Sequence, residues 1–266
     1  MIADKQTHLF LLLDGAKLNA PRITYQHDDA PWADWLYRGT RHETALDVSP
    51  YLVKPSADSR LWANQTDWAE NGLVLKTNAT PEELIGHLRS LISVRLPSGQ
   101  LSYCRFYSNT RLHQFLYALT EAERSLFSGP ITQWQNPSAT AAWQSIATEG
   151  EAEAKSAEDE GWFQLTEEHI GVLNRTQAEA FLTKLGRHLG LDTSPASSAQ
   201  LGRLVHHAQE HGFHSEKDVA RYTELALRHP QKLNEEVCIA VLKDPQATNS
   251  QKLNQLDHLL AYGGAR

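Results

Sequence analysis

The sequence predicts an α+β (or α/β) N-terminal lobe, with a small mixed sheet flanked by helices, followed by an all-α C-terminal lobe. Short apolar runs alternate with amphipathic segments in the first half, whereas the second half shows helical periodicity only. All seven Trp lie at or before Trp162. The formal charge also changes, from −1 over residues 1–148 to −6 over residues 149–266.

A chain of 266 residues lies near the length at which one core divides into two. Residues 149–168 hold eight acids and only Lys155, a composition typical of a solvated linker. We therefore expect a mixed lobe over residues 1–136, an acidic linker over 137–164 and a helical lobe over 165–266.

The N-terminal lobe contains three strand candidates. Leu9–Leu13 is an apolar run closed by Asp14, which begins a turn. Tyr51–Lys54 lies between two prolines, which favours an edge or short strand. Arg60–Glu70 has a helical pattern, and Leu73–Thr77 follows it as a second buried strand.

Capping boxes predict two helix starts in this lobe. Thr80 with Glu83 begins one helix, and Thr120 with Glu123 begins another. In each case the N-cap hydroxyl and the carboxylate three residues later satisfy backbone N–H groups that the helix itself leaves unpaired. Between the two helices the sequence predicts a β-hairpin, over Val94–Leu96 and Leu101–Phe106.

The C-terminal lobe shows no convincing strand. Five helical segments with brief turns predict a bundle or a small solenoid. Their starts and ends are marked by Ser caps, Gly and Pro. The segments are Thr166–Leu189, a helix opened by Ser194-Pro195, a helix capped by Ser215, Asn234–Lys243 and a last helix carrying Leu253, Leu256 and Leu260.

The composition excludes several classes of protein. A formal net charge of −7 argues against binding to nucleic acid or to an anionic membrane surface. No apolar run exceeds six residues, so no membrane insertion is expected, and Leu9–Leu13 is too short for a signal-peptide core. Two cysteines cannot form a disulfide framework. We expect a cytoplasmic protein.

The sequence lacks the common catalytic motifs, and we expect no catalytic residues, no cofactor and no metal. The best metal candidate is the pair His207 and His211, which share a helix face at zinc-ligand spacing. Gly212 ends that helix, so His214 would have to reach back from a turn. The alternative is a polar helix end, where the dipole favours imidazolium.

Two further residues have both a catalytic and a structural interpretation. Cys104 could be a reactive thiol, but a small buried side chain in the hairpin is the favoured role. Asp14 could be an active-site carboxylate at a strand end, but no acid or base can be paired with it from sequence. Turn capping is the favoured role for Asp14.

Aromatic residues outside a regular pattern indicate a partner-binding surface. Trp32, Trp35 and Tyr37 crowd a segment that looks irregular, and Phe213 follows a helix-ending Gly. Trp and Tyr are enriched among interface residues that contribute most of the binding energy. The alternative for the tryptophans is a cap on the sheet edge or a contact between the lobes. We select Trp32, Trp35, Tyr37 and Phe213 as candidate partner-binding residues.

The order of several short motifs resembles the effector-adaptor (effector-chaperone) family of bacterial type VI secretion, long catalogued only as a domain of unknown function. Each motif is weak alone, but the ordered set spans about residues 9–134 and is fairly specific. Where the family usually has Asp-Pro, this chain has Ser108-Asn109, and Asn109 could still cap the next helix. The motifs are Leu11–Gly15, Leu36–Thr40, Ser49–Val53, Gly72–Leu75, Thr80–Leu84 with His87–Arg89, Val94–Gly99, Arg105–Tyr107 and Gly129–Ile131.

The resemblance implies a protein that is not an enzyme. Members of the family hold a secreted effector and help to load it onto the spike protein at the tube tip. The expected partners are therefore the effector and the spike. Two alternatives stay open: a metal-dependent hydrolase that uses His207 and His211, and a subunit of a stable complex with no loading role.

Overall fold

A computed structural model of the chain describes residues 7–138, 142–192 and 194–262. Within these ranges the chain forms eight strands and nine α-helices. In chain order they are β1 (His8–Leu13), α1 (Ala20–His27), β2 (Trp32–Trp35), β3 (Tyr51–Lys54), β4 (Gly72–Thr77), α2 (Pro81–Ser90), β5 (Ser93–Arg95), β6 (Leu101–Tyr103), α3 (Asn109–Ala118), α4 (Glu121–Ser128), β7 (Ile131–Asn136), β8 (Gln144–Ala147), α5 (Glu167–His188), α6 (Pro195–Glu210), α7 (Glu216–Arg228), α8 (Glu236–Lys243) and α9 (Asn249–Tyr262).

Six of the strands form one sheet in the order β2-β3-β1-β4-β7-β8, and β5 and β6 form a separate hairpin. Neighbouring strands in both sheets run antiparallel, whereas the sequence analysis expected a mixed sheet. β1 lies inside the sheet, with Leu12 opposite Leu52 of β3 and opposite Leu73 of β4. The α+β class of the N-terminal part and the helical class of the C-terminal part are confirmed.

The sheet is apolar on both faces, because both faces are covered. Phe10 and Leu12 of β1 point into the larger core, and Leu11 and Leu13 point into a smaller one. This explains why β1 is a continuous apolar run rather than an alternating one. The larger core is completed by side chains of α2, α3 and α4, among them Leu84, Leu88, Leu112, Leu116 and Phe127.

Both capping boxes form as predicted. The Thr80 hydroxyl accepts a hydrogen bond from the Glu83 N–H at 3.2 Å, and Glu83 accepts from the Thr80 N–H at 2.9 Å. Thr120 and Glu123 repeat this arrangement at 3.3 and 2.9 Å. The predicted strands β1, β3 and β4 and the β5–β6 hairpin are also present.

Two local predictions were wrong. The segment around Trp32 is not irregular, because Trp32–Trp35 forms β2 at the edge of the sheet. Of the two alternatives for Tyr51–Lys54, an edge or a short strand, the structure shows the second, since β3 has four residues and lies inside the sheet. Arg60–Glu70 is not one helix but three short 3-10 segments, the first two of which are joined at Asn64. The Trp68 indole N–H donates to the Leu61 carbonyl at 2.9 Å, which fixes this winding path against the smaller core.

The predicted acidic linker over 137–164 also differs from the structure in its described part. It contains β8, which pairs with β7, and Phe163, which lies in the larger core. The Glu160 side chain is only 7% exposed and pairs with Arg41 at 3.1 Å and His42 at 3.2 Å. Composition hides this arrangement, because the few apolar residues that dock the segment are outnumbered by exposed acids.

The chain divides into two compact units after Leu173, within α5, rather than at residue 165. The described part of the second unit contains helices and no strand, as predicted. Ser194 and Ser215 cap α6 and α7 by accepting hydrogen bonds from Ser197 N–H and Asp218 N–H. The core of this unit is formed by residues such as Phe213, Val219, Tyr222, Leu225, Leu253 and Leu256.

None of the helices in the described ranges is long and apolar enough to cross a membrane.

Candidate partner-binding site

Trp35 lies at the edge of the sheet and is partly exposed. It is the last residue of β2 and packs against the smaller core. Its ring centroid is 4.6 Å from that of Tyr51, directly opposite on β3. Burial, followed by a hydrogen bond with Tyr25, raises the pKa of Tyr51, so its hydroxyl stays neutral. Tyr25 is itself 57% exposed, which extends the aromatic surface towards solvent.

A cleft of about 350 Å³ opens beside Trp35. We call it the Trp35 cleft. It is lined by the turn between β1 and α1 and by Trp35 and Asp47. Lys17 and Asp47 are both exposed, so the cleft combines one aromatic side chain with exposed charges of both signs. The lining residues are Gly15, Ala16, Lys17, Leu18, Asn19, Pro21, Trp35 and Asp47.

Asp34 fixes the edge strand from the opposite face. Its carboxylate accepts hydrogen bonds from Arg89 at 2.9 Å, from Arg38 at 2.7 Å and from the Trp35 N–H at 2.8 Å. Arg89 also donates to the Trp35 carbonyl at 2.8 Å. Both backbone groups of Trp35 are therefore bonded to side chains, which fixes the backbone of β2 beside the cleft.

The three candidate residues of the first unit do not share one surface. Trp32 points to the opposite face of β2 from Trp35 and contacts Phe10 edge-on, with ring centroids 6.4 Å apart. Tyr37 is buried, and its hydroxyl is hydrogen-bonded to the hydroxyls of Tyr103 and Tyr107. In this conformation Trp35 presents a more accessible surface to a partner than Tyr37 does.

Phe213 lies in the core of the second unit and is fully buried. Its ring stacks on Tyr222 at 5.4 Å. The backbone around it is also fixed, because the Asn249 side chain donates to the Gly212 carbonyl at 2.9 Å. Phe213 is therefore a packing residue in this conformation, although it follows a helix-ending Gly.

The Asp14 carboxylate has two partners. It accepts from the Ala16 N–H at 3.1 Å, which is the turn-capping role predicted for it, and from Arg105 at 2.8 Å. Asp14 is buried, whereas the Arg105 side chain is 37% exposed and borders a cleft of about 340 Å³ with Lys17 and Arg111. The Arg105 partner could not be found from sequence, because 91 positions separate the two residues.

The histidines at the end of α6 form part of a helix contact. The Tyr222 hydroxyl of α7 lies 2.6 Å from Nδ1 of His207, and burial raises the pKa of Tyr222 to about 12. Tyr222 therefore stays neutral near pH 7, and its hydroxyl shares a hydrogen bond with Nδ1 of His207. The rings of His207 and His211 are 4.7 Å apart, and burial, followed by repulsion from His207, lowers the pKa of His211. In the described part of the chain, no group of three or more His, Cys, Asp or Glu could hold a metal ion.

Cys104 and Cys238 are both buried. Burial raises the pKa of the Cys104 thiol to about 12, and burial also raises the pKa of Cys238. Both groups are therefore thiols rather than thiolates near neutral pH, which favours the small buried role predicted for Cys104.

Asn109 does not cap α3 as the sequence suggested. Ser108 occupies the N-cap position, and no side-chain cap hydrogen bond forms there. Asn109 instead donates to the Ala69 carbonyl at 2.8 Å. The backbone carbonyl of Asn109 accepts a hydrogen bond from the Asn136 side chain at 3.0 Å, so Asn109 links α3 to two distant segments.

Sequence reasoning missed Tyr25 and Tyr51 as parts of the aromatic surface. Tyr51 was assigned only to a strand, and its pairing with Trp35 depends on the β2–β3 register. The four residues Trp32–Trp35 carry no apolar–polar alternation, so the sequence offers no local signal for β2.

No curated protein and no solved structure matches the chain. Residues 9–126, from β1 into α4, match the model of a family described as a domain of unknown function (DUF4123). This match covers less than half of the chain and includes all the residues that line the Trp35 cleft.

Proposed function

We propose that this chain is a cytoplasmic adaptor of bacterial type VI secretion and not an enzyme. It binds a secreted effector with one surface and the spike protein with another, and it helps to load the effector onto the spike. The supporting observation is the ordered motif set over residues 9–134, which nearly coincides with the family match over residues 9–126.

The positions of these motifs suit a binding scaffold. Motifs far apart in sequence contact one another: Asp14 pairs with Arg105, and a β-carbon at Gly15 would lie 2.0 Å from the Ser49 carbonyl oxygen. Arg89 of a fourth motif donates to the Leu36 carbonyl of a fifth at 3.3 Å. These residues therefore fix the frame that carries β2 and its cleft.

The Trp35 cleft is the surface that we assign to a partner. A partly exposed Trp beside a concave surface suits the insertion of an apolar side chain, because such anchors dominate binding energy. Burial of partner apolar surface there would stabilise an effector that is unstable alone. The mixed charges of Lys17 and Asp47 form the polar rim that such interfaces usually have.

Co-purification tests this proposal. The chain is expressed with the products of its neighbouring genes, and we expect a complex with a spike protein or with a toxin. Failure to bind any of them would contradict the adaptor function. About one zinc per chain, lost in a His207→Ala and His211→Ala double variant, would favour the hydrolase instead.

A further inference from the structure

The strand β8 forms the open edge of the six-stranded sheet. Thr148 N–H donates to the Thr132 carbonyl at 2.9 Å, so these two residues are a hydrogen-bonded pair of the β7–β8 ladder. Such pairs alternate along an antiparallel ladder. The backbone groups of Gln144 and Ile146 therefore face β7, whereas those of Ser145 and Ala147 face away from the sheet.

These outward groups are accessible. Ser145 and Ala147 are both exposed, and no backbone hydrogen bond from another segment of the described chain occupies them. The opposite edge differs, because Asp34 and Arg89 bond the outward N–H and carbonyl of Trp35 on β2. Proteins commonly block edge strands with charged side chains in this way. In the described chain, side chains thus bond the outward groups of Trp35 on β2, whereas no side chain bonds those of Ser145 and Ala147 on β8.

A cleft of about 250 Å³ lies beside β8, between Ala147 and α4. Its charged lining residues are Glu121, Arg124 and Glu149. The Arg124 guanidinium is turned to neutral partners, since it donates to the Leu116 carbonyl at 3.0 Å and lies over the Tyr117 ring. With two carboxylates and one guanidinium, the charged lining of the cleft is negative by one formal charge.

The segment of chain that follows β8 is also negatively charged. The eight acids and one lysine of residues 149–168 give −7, which equals the formal net charge of the whole protein. Glu149, Glu151 and Glu153, immediately after β8, are exposed. A basic segment would be attracted to this edge, whereas a second copy of the chain would bring the same acids into repulsion.

We propose that the β8 edge binds an extended basic segment of a partner protein by strand addition, with a Lys or Arg side chain in the cleft between α4 and Ala147. Backbone hydrogen bonds to Ser145 and Ala147 give the affinity, and the carboxylates of Glu121 and Glu149 give the charge preference. This site is separate from the Trp35 cleft, and its test does not require the effector or the spike.

Amide hydrogen exchange of the full chain tests the proposal with a peptide of alternating Lys and Val, about eight residues long. We expect the exchange of the Ser145 and Ala147 amides to slow about tenfold at saturating peptide. The amides of Gln144 and Ile146, already bonded to β7, should change little. Two control peptides are used: one with Glu in place of Lys, and one with the same side chains but N-methylated at every residue, so that neither of its edges can donate to β8.

Both control peptides should fail to protect these amides. Equal binding of the N-methylated peptide would overturn strand addition, because charge alone would then explain the binding. No protection at Ser145 and Ala147 by the Lys-Val peptide would also overturn it. Protection that rises with protein concentration in the absence of peptide would identify a second copy as the occupant and would contradict the basic partner.

A proline variant gives an independent test. Ala147→Pro removes an outward N–H that β7 does not use, so the sheet should keep its pairing while peptide protection at Ser145 is lost. The N-methylated peptide keeps the proposal testable if this variant folds poorly. If peptide binding fails while co-purification succeeds, strand addition is wrong and the adaptor function stands.

Discussion

The imidazole of His87 occupies the space beside Gly129, where a β-carbon would lie 2.4 Å from Cε1 of the ring. His87 is completely buried on α2. Its Nε2–H donates to the Phe127 carbonyl at 2.9 Å, and its Nδ1 accepts from the Lys155 N–H at 3.2 Å. Gly129, with φ of +55°, lets α4 end against the ring. One neutral histidine thus links α2 to the end of α4 and to Lys155 in the acid-rich segment 149–168.

We expect Gly129→Ala to lower the free energy of unfolding by about 3 kcal/mol, because steric overlap with His87 adds to backbone strain. Gly99→Ala is the matched control, since Gly99 also has a positive φ (+83°) but no atom within 4 Å of the added carbon. It should cost about 1 kcal/mol. Urea denaturation measures both, and equal losses would show that the His87 contact contributes nothing.

Stability should fall between pH 7 and pH 4 because of His87. Burial lowers the pKa of His87 from 6.5 to about 4. In this pH window the unfolded chain binds a proton that the folded chain excludes, so acid favours unfolding. Full titration corresponds to about 3 kcal/mol. His87→Gln should flatten the dependence of the unfolding free energy on pH from 6.5 to 4, and an unchanged slope would assign the effect to other groups.

The elements that sequence predicted correctly have local causes. The capping boxes at Thr80 and Thr120 and the apolar run of β1 can be recognised within a few neighbouring residues. β2 and β8 have only four residues each, and their pairing is decided by distant strands. The prediction of a solvated linker over residues 137–164 failed for a related reason, since Glu160 is held by Arg41, which is 119 positions away.

The roles of the candidate site residues also depend on contacts that the local sequence does not show. Trp35 was selected as an unassigned aromatic, and the structure places it beside a cleft. Tyr37 and Phe213 were selected on the same grounds but are buried through distant partners: Tyr37 contacts Tyr103, 66 positions away, and Phe213 lies in a core cluster that includes Leu253 and Leu256. An aromatic residue without a local period can therefore be either a surface anchor or a core residue, and only long-range contacts distinguish the two.

Arg105→Gln should destabilise the protein by about 2 kcal/mol, because it leaves the buried Asp14 carboxylate without its cationic partner. Asp14→Asn should cost less, since the amide oxygen can still accept from the Ala16 N–H. The double variant should be less damaging than the sum of the single ones. Chemical denaturation of all three variants gives the coupling energy, and strict additivity would contradict a direct interaction.

Neither cysteine should react with a thiol reagent in the folded protein near pH 8. Cys104 is buried and burial raises its pKa to about 12, while burial also raises the pKa of Cys238. Both should react after denaturation in urea. Rapid modification of the native chain at one cysteine would show local opening around it, and mass spectrometry of the labelled peptides would identify which one.

Trp35→Ala should weaken binding of the co-purified partner by about 2 kcal/mol, some thirtyfold, because it removes the aromatic side chain that lines the Trp35 cleft. Trp32→Ala is the matched control, since Trp32 lies on the same strand but points to the opposite face, against Phe10. It should leave the partner affinity within about threefold of the wild type.

Binding is measured by titration of the purified partner and stability by thermal unfolding. The thermal midpoint of Trp35→Ala should stay within a few degrees of the wild type, because the ring is only partly buried. A large drop in that midpoint would mean that Trp35 supports the smaller core through Tyr51, and equal affinity losses in both variants would remove the Trp35 cleft as the partner site.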